Sequence, residues 1–300
     1  MELVASAIRL TVPILLASLG AVFSERGGVV NIGLEGIMIV GTFFGALGAL
    51  KYGPAAGVAM AAAAGLALAL LHAVVTITFH VDQIISGVAL NMLAGGLTRF
   101  LSILLFGMAT QSPGVPGFAP LSVPLLRDVP FLRPVASGIS PLVVLAALAV
   151  VAAHLILTRT VFGLRLRAVG ENPHAADTLG LNVYVLRYSG VLLSGVFAGV
   201  AGSYLAIEQG RHYFEGMTQG RGFIALAALI FGNWWPVGAA AASALFGFFD
   251  ALSLRVVVTG VPYQFITALP YAVSILVLAG VVRRARPPAA AGRPYVKEEG

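Results

Sequence analysis

A succession of long apolar runs, separated by short polar segments, constrains the fold of this chain more than any other feature. The hydrocarbon core of a bilayer is about 30 Å thick, and a helix needs about twenty mostly apolar residues to cross it. The sequence between residues 55 and 75 is apolar apart from His72, whereas the strands of a membrane barrel alternate apolar and polar side chains. The pattern predicts an all-α, polytopic membrane protein with about eight to ten transmembrane helices. The candidate spans are Leu3–Val22, Val29–Leu50, Pro54–Phe79, Ile84–Phe106, Ile139–Leu157, Tyr188–Ile207, Arg221–Asn233, Pro236–Leu254 and Tyr263–Val282.

The composition excludes an ordinary soluble domain. The chain is 59% hydrophobic and 10% charged, with a mean hydropathy of +0.96, whereas about a quarter of the residues of a soluble domain are charged. The 36 glycines suit helices that pack closely in lipid, where small residues let backbones approach. The sequence contains no cysteine and no histidine pair with metal-ligand spacing, so it indicates no metal site.

Basic residues indicate the orientation in the membrane. Half of the eighteen lysines and arginines lie in two places: four in the polar segment Thr158–Arg187, which we call the island, and five from Arg283 onward. Such residues concentrate in cytoplasmic segments, so both regions are predicted to be cytoplasmic. An even number of crossings must then lie between them, which requires the short run Arg221–Asn233 to count as one. Counting backwards places the loop Gly107–Gly138 and the N-terminus outside the cell.

The centre of the island has the sequence of a short, capped helix. Asn172 can cap the helix start and Pro173 suits its first turn, while Gly180 favours its end. The residues between them form about two turns, with the small side chains of Ala175 and Ala176 expected on one side, where they fit a groove of a soluble domain. This segment predicts a docking surface for an energy-supplying partner. A plain connector lying on the lipid surface is the alternative.

Three polar residues inside the apolar runs are candidates for a transport path. Asn31 and Glu35 are four residues apart on one helix face, and an acid that faces lipid costs several kcal/mol. Asn91 lies near the middle of the fourth run, where a lipid-facing amide would lack hydrogen-bond partners. We therefore predict that Asn31, Glu35 and Asn91 line a substrate path. Hydrogen bonds between helices that only fix the packing are the alternative.

Two similar junctions suggest an internal repeat. Apolar segments meet at Tyr52-Gly53-Pro54 and again at Trp234-Trp235-Pro236, and a run of small residues follows each junction. The predicted orientation places these junctions on opposite sides of the membrane. Transporters built from inverted repeats have such pairs of interrupted segments, with the substrate site between the repeats. The sequence is thus compatible with an inverted repeat.

Three longer motifs resemble those of a known transporter family. They are SLGAVFSERGGVVNIGLEGIMIVG (Ser18–Gly41), RAVGENPHAADTLGLNV (Arg167–Val183) and GRGFIALAALIFGNWWPVGA (Gly220–Ala239). Together they resemble the permease subunit of an ABC importer, in the group shared by branched-chain amino acid and simple-sugar permeases. The resemblance is greatest to the nucleoside and general simple-sugar branch and covers roughly residues 5 to 283.

The resemblance implies that two permease chains, often different but related, form the substrate path. A cytoplasmic ATPase drives them, and an extracytoplasmic binding lipoprotein delivers the solute. The sequence contains no Walker motif of the form GxxxxGK(S/T), so ATP and Mg²⁺ are expected on the ATPase, with no cofactor, catalytic residue or nucleic-acid partner for this chain. The residues that the resemblance assigns to ATPase coupling are Gly170, Glu171, Asn172, Pro173, His174, Ala175, Ala176, Asp177 and Gly180.

These observations predict one transmembrane permease domain over residues 1–283, with the island as its cytoplasmic coupling loop. Residues 284–300 are expected to form a disordered cytoplasmic tail. The expected function is import of nucleosides or simple sugars across the inner (plasma) membrane, without enzymatic activity in this chain. Two alternatives remain, an ABC permease for branched-chain amino acids and an ion-coupled secondary transporter that uses Glu35 as its ion-linked acid.

Overall fold

The computed structural model describes residues 2–108, 110–121, 138–255 and 285–297, together with residues 265 and 272. Ten α-helices lie in these ranges, and a π-helical turn extends the third and the eighth of them. The helices are α1 (Glu2–Arg26), α2 (Leu34–Tyr52), α3 (Pro54–Ala73), α4 (Gln83–Phe106), α5 (Pro141–Arg159), α6 (Val161–Glu171), α7 (Pro173–Thr178), α8 (Val183–Tyr204), α9 (Arg221–Phe231) and α10 (Pro236–Ser253). The π-helical turns are Val74–Thr78 and Leu205–Gln209.

Seven of the described helices are long and apolar enough to span a membrane, which confirms the all-α, polytopic fold. They are α1, α2, α3, α4, α5, α8 and α10. The helix α9 is also apolar but has only 11 residues. The last candidate span, Tyr263–Val282, lies almost entirely outside the described residues.

The centre of the bundle consists of α1, α2 and α8, which are mostly buried, whereas α4 and α5 are mostly exposed. Small residues bring the central helices together. A Cβ atom at Gly41 of α2 would overlap the carbonyl oxygen of Gly199 of α8, and a Cβ atom at Gly65 of α3 would overlap that of Gly195. The abundance of glycine therefore has the packing role expected of small residues in membrane helices.

A short non-helical segment, residues 27–33, joins α1 to α2, and we call it the break. Most of its residues are buried within the bundle, although the apolar run predicted to form the second span begins at Val29. Gly28 has a φ of 86°, a backbone conformation that favours glycine. The second span therefore begins as irregular backbone and becomes helical only at Leu34.

The island lies on one face of the bundle, which we call the island face, together with the end of α1 and the junction between α9 and α10. A Cβ atom at Gly170 would overlap the carbonyl oxygen of Arg26, so the end of α6 touches the end of α1. Arg26 Nε donates to the carbonyl oxygen of Trp234 at 2.7 Å.

The opposite face, which we call the loop face, carries residues 110–121 and the end of α8. Gln111 and Phe214 pair in an antiparallel bridge there. The start of α1 lies on the same face, because Arg9 lines the same cavity as Phe118 and Arg211. The structure thus places the start of α1 and residues 110–121 opposite the island, in agreement with the sequence prediction.

The chain around α9 crosses from the loop face to the island face, although the apolar run Arg221–Asn233 is too short to span a membrane alone. Eleven residues of α-helix extend about 16 Å, roughly half the hydrocarbon thickness. An irregular segment precedes α9, and it descends from Phe214 on the loop face to Gly220 beside Glu35. The chain then runs through α9 and reaches Trp234 on the island face. Irregular chain and short helix together make the crossing that the orientation argument required.

Residues 285–297, which we call the tail segment, pack on the island face. The Ala290 N–H donates to the carbonyl oxygen of Gly170 at 2.9 Å, and the Tyr295 side chain is buried. The predicted disorder of the tail is therefore wrong for these residues. Hydrogen bonds and buried contacts offset the entropy lost when this segment is ordered.

The two junctions that suggested an inverted repeat do lie on opposite faces. The junction at Trp235 lies on the island face, where its ring contacts Arg26. The junction at Gly53 follows the loop-face end of α2, beyond Phe43, whose ring packs against Phe106 and Tyr213. The inverted repeat itself stays a prediction.

Candidate functional site

The break is held by polar side chains that project from α3 and α4. Gln83 Oε1 accepts a hydrogen bond from the Val30 N–H at 2.7 Å, and His72 Nε2 donates to the Val30 carbonyl oxygen at 3.1 Å. Asn91 Nδ2 donates to the carbonyl oxygen of Ile32 at 3.1 Å. Irregular backbone is tolerated at membrane depth only where the surrounding protein or a cavity satisfies it. These three side chains meet that condition for the break.

Asn31 points from the break toward α8. Its Nδ2 donates to Ser194 Oγ at 3.0 Å, and its side chain is fully buried. Its Oδ1 has no hydrogen-bond partner within the described part of the chain, and neither does Nε2 of Gln83. Among the described residues, two buried polar atoms beside the break therefore lack a hydrogen-bond partner.

Glu35 caps a helix other than its own. Its Oε1 accepts hydrogen bonds from Thr218 Oγ1 at 2.6 Å and from the Gly220 N–H at 2.9 Å, and its Oε2 accepts one from the Gly222 N–H at 2.7 Å. The first N–H groups of a helix lack partners inside the helix, and the helix dipole favours a negative charge there. A buried carboxylate is thus stabilised at the start of α9, deep in the bundle.

Asn91 caps the start of α2 in the same way. Its Oδ1 accepts a hydrogen bond from the Gly36 N–H at 2.7 Å, in the first turn of that helix. The structure therefore brings the three predicted path residues, Asn31, Glu35 and Asn91, together around the break. Their polar groups make the packing hydrogen bonds that were the alternative to a path, and the path-lining role stays a prediction.

On the island, the predicted capped helix is confirmed as α7. Asn172 Oδ1 accepts a hydrogen bond from the Ala175 N–H at 3.0 Å, and Pro173 is the first helical residue. Gly180 follows the helix with a φ of 79°, in the left-handed region. Local sequence signals were sufficient to place both ends of this helix.

The predicted sidedness of α7 is wrong. Ala175 is exposed and Ala176 is buried, because neighbouring residues of an α-helix point about 100° apart. The exposed face also carries His174 and Thr178, and it ends at Leu179, whose side chain is 81% exposed. A soluble partner would therefore meet this surface rather than the two alanines together.

The sequence reasoning missed a second island helix, α6. Thr160 caps it by accepting a hydrogen bond from the Gly163 N–H at 3.1 Å. Its apolar residues Phe162, Leu166 and Val169 recur with helical spacing, and the last two are fully buried. The N-cap and this spacing were readable in the sequence, so the helix could have been predicted.

Cationic and aromatic side chains join the island to the bundle. The guanidinium groups of Arg26 and Arg167 lie 4.5 Å and 5.5 Å from the ring centroid of Trp235. Trp234 is buried, and its Nε1 donates to Glu25 at 2.6 Å. The two tryptophans thus hold α1 and α6 against the junction between α9 and α10.

Comparisons with known proteins agree with this architecture. The family model for the permease component of branched-chain amino acid transport systems matches residues 3–282. The chain is 43% identical to the guanosine ABC transporter permease protein NupQ of Bacillus subtilis (strain 168), over 95% of this chain and 93% of that protein. It is 40% identical to the nucleoside ABC transporter permease protein NupC of Lactococcus lactis subsp. cremoris (strain MG1363), over 99% and 97% of the two chains.

A third relative is named for a different solute. The chain is 38% identical to the putative glucose ABC transporter permease protein TsgC13 of Haloferax volcanii, over 81% of this chain and 74% of that protein. The family resemblance that the sequence motifs indicated is confirmed. The chain therefore belongs to this family of ABC transporter permease components and is a multi-pass protein of the inner (plasma) membrane.

Proposed function

We propose that this chain and a second permease subunit together form the path of an ATP-driven importer for nucleosides. The observation that carries the proposal is the similarity along almost the whole chain to two permeases named for guanosine and nucleosides. The relative named for glucose is less similar and is covered less completely, so a sugar is the second candidate. The branched-chain amino acids named in the family description rank below both.

The proposed energy source is a separate ATPase that docks on the island, with ATP and Mg²⁺ bound by that subunit. The helix α7 supports this role because it presents His174, Ala175, Thr178 and Leu179 to the surroundings. The basic residues of the island and tail support a cytoplasmic position for this face. The coupling residues proposed from the resemblance include two residues of this exposed surface, His174 and Ala175.

A proposed route of coupling runs from α7 to the break. The close contact between Gly170 and the carbonyl oxygen of Arg26 joins the end of α6 to the end of α1. The break begins at the next residue, Gly27, and ends beside Glu35 and Asn91. Movement of the island would therefore act directly on the one irregular connection between the two central helices α1 and α2.

The loop face is proposed to receive the extracytoplasmic binding protein. A cavity of about 320 Å³ opens there, and charged and aromatic side chains line part of it: Arg9, Tyr204, Glu208 and Arg211. With solute delivered to this side and ATP hydrolysed on the other, the chain needs no catalytic residue of its own.

Reconstitution tests this function. The chain would be placed in liposomes with its ATPase, its permease partner and its binding protein, and uptake of labelled guanosine would be followed with and without ATP. We expect uptake only with ATP, and competition by other nucleosides but neither by glucose nor by leucine. Accumulation driven by an ion gradient, without the ATPase, would contradict the proposal and favour the secondary transporter.

A further inference from the structure

The tail segment packs against the buried side of α7. Tyr295 is 2% exposed and packs in a small apolar cluster with Val169, Ala176 and Val183. Its ring centroid is 5.1 Å from that of His174 in α7. The buried side of α7 therefore rests partly on a residue that comes more than one hundred positions later in the chain.

Tyr295 also contacts two other elements of the bundle. His80, in the connection between α3 and α4, donates from Nε2 to the carbonyl oxygen of Tyr295 at 3.0 Å. The ring of Tyr184, in the first turn of α8, lies 5.6 Å from the ring of Tyr295. One side chain and its backbone thus join α7, α8 and the start of α4.

The tail segment forms polar contacts at both ends of α7. The Ala289 N–H donates to Glu171 Oε2 at 3.3 Å, just before the helix begins. Lys297 Nζ forms an ion pair with Asp177 at 3.6 Å, in the last turn. Burial, and next a hydrogen bond with Asp177, raise the pKa of Tyr295 above its usual value. These contacts fix α7 along its length.

A buried cation weakens the packing of the tail segment on the bundle. Arg187 of α8 is 2% exposed, and among the described residues its Nε and Nη2 have no hydrogen-bond partner. The tail offers it the carbonyl oxygen of Arg293 at 3.0 Å and the ring of Tyr295 at 5.9 Å. A buried charge with incomplete partners is costly, and undocking the tail would return it to water. The tail is therefore held less firmly than its buried contacts alone imply.

We propose that the tail segment is part of the ATPase-docking surface, with Tyr295 as the positioning residue that links α7 to α8 and to the start of α4. This inference rests on the proposed function of the island. In the docked state, displacement of α7 by the ATPase moves Tyr295, and Tyr295 moves Arg187 and His80. Without the tyrosine ring, α7 still binds the ATPase through its exposed face, but a smaller part of its displacement reaches Arg187 and His80.

The test compares solute moved with ATP hydrolysed in the complete reconstituted importer. Tyr295→Ala is expected to lower guanosine uptake per ATP about five- to tenfold, a loss typical of one coupling interaction. Tyr295→Phe keeps the ring and should retain most of the wild-type ratio. Val151→Ala in α5 is the matched control, because this side chain is 56% exposed and lies outside both the island and the tail segment. Removal of residues 293–300 should reproduce the effect of Tyr295→Ala.

The outcomes separate the inference from the function on which it rests. If the wild-type importer shows no ATP-dependent uptake, the proposed function is wrong and the inference falls with it. If the wild-type importer works and Tyr295→Ala has the same uptake per ATP, the inference alone is overturned. A variant that lowers only the amount of assembled complex, with uptake and hydrolysis reduced equally, would also overturn it, because a merely structural role predicts that result.

Discussion

The break and the tail segment are both irregular chain, but most residues of the break are buried within the bundle, whereas most residues of the tail segment are exposed. In the break, both backbone groups of Val30 and the carbonyl oxygen of Ile32 are paired with side chains from neighbouring helices. In the tail segment, four hydrogen bonds join backbone groups and four join the tail backbone to side chains of the bundle, and the unpartnered nitrogen atoms beneath it belong to a cation, Arg187, in the described structure.

The difference teaches which irregular segment can move alone. Opening the break would expose unpaired backbone to a membrane, where each unsatisfied group costs several kcal/mol. Releasing the tail segment would expose its backbone and Arg187 to water, which can hydrogen-bond both. We expect the break to move only as part of the bundle and the tail segment to move by itself.

The largest expected effect is at Glu35. Glu35→Leu removes the acceptor of three hydrogen bonds and leaves N–H groups of α9 unpaired, so it should destabilise the chain by about 4 kcal/mol. Thermal unfolding of the purified protein in detergent measures this loss. Glu35→Gln keeps one acceptor oxygen and should lose roughly half as much. An unchanged unfolding temperature in Glu35→Leu would show that the start of α9 does not depend on this cap.

The next effect is at Asn91, whose amide bonds both the break and the start of α2. Asn91→Leu has a similar volume but leaves the Gly36 N–H and the Ile32 carbonyl oxygen without this partner, which should cost about 2 kcal/mol. The matched control is Met92→Leu, since this side chain is 76% exposed. Equal unfolding temperatures for the two variants would remove the distinction between break and tail.

The smallest effect is expected in the tail segment. Removal of residues 293–300 should lower the free energy of unfolding by less than about 1 kcal/mol, because segments that open locally contribute little to global stability. Hydrogen exchange provides the comparison within one molecule. The amide of Ala290 should exchange faster than that of Val30, and the reverse order would contradict the assignment of the tail as the mobile partner.

Much of the architecture could be predicted from local sequence. Apolar runs gave the spans, and Asn172, Pro173 and Gly180 gave both ends of α7. The parity of crossings between two basic regions required the short run before Asn233 to change faces, although the irregular chain that completes this crossing has no apolar pattern. Signals of this kind are readable because each depends on residues within a few positions of one another.

The contacts that define the candidate site could not be predicted, because they join distant parts of the chain. Glu35 and Gly220 are 185 positions apart, and His80 and Tyr295 are 215 apart. No periodicity or cap in the sequence connects such pairs. For the same reason the tail was expected to be disordered. Its polar composition does not predict the apolar cluster that buries Tyr295 or the hydrogen bond from Ala290 to Gly170.

Site-directed cross-linking tests the central claim most directly, and the cysteine-free sequence makes single-cysteine variants specific. Thr178→Cys lies on the exposed face of α7, and Tyr52→Cys, at a 74% exposed position, lies at the opposite end of the bundle. With a short thiol cross-linker in membranes containing the complete importer, we predict that Thr178→Cys captures the ATPase and Tyr52→Cys does not. Capture at residue 52, or at neither position while ATP-driven uptake persists, would contradict the account.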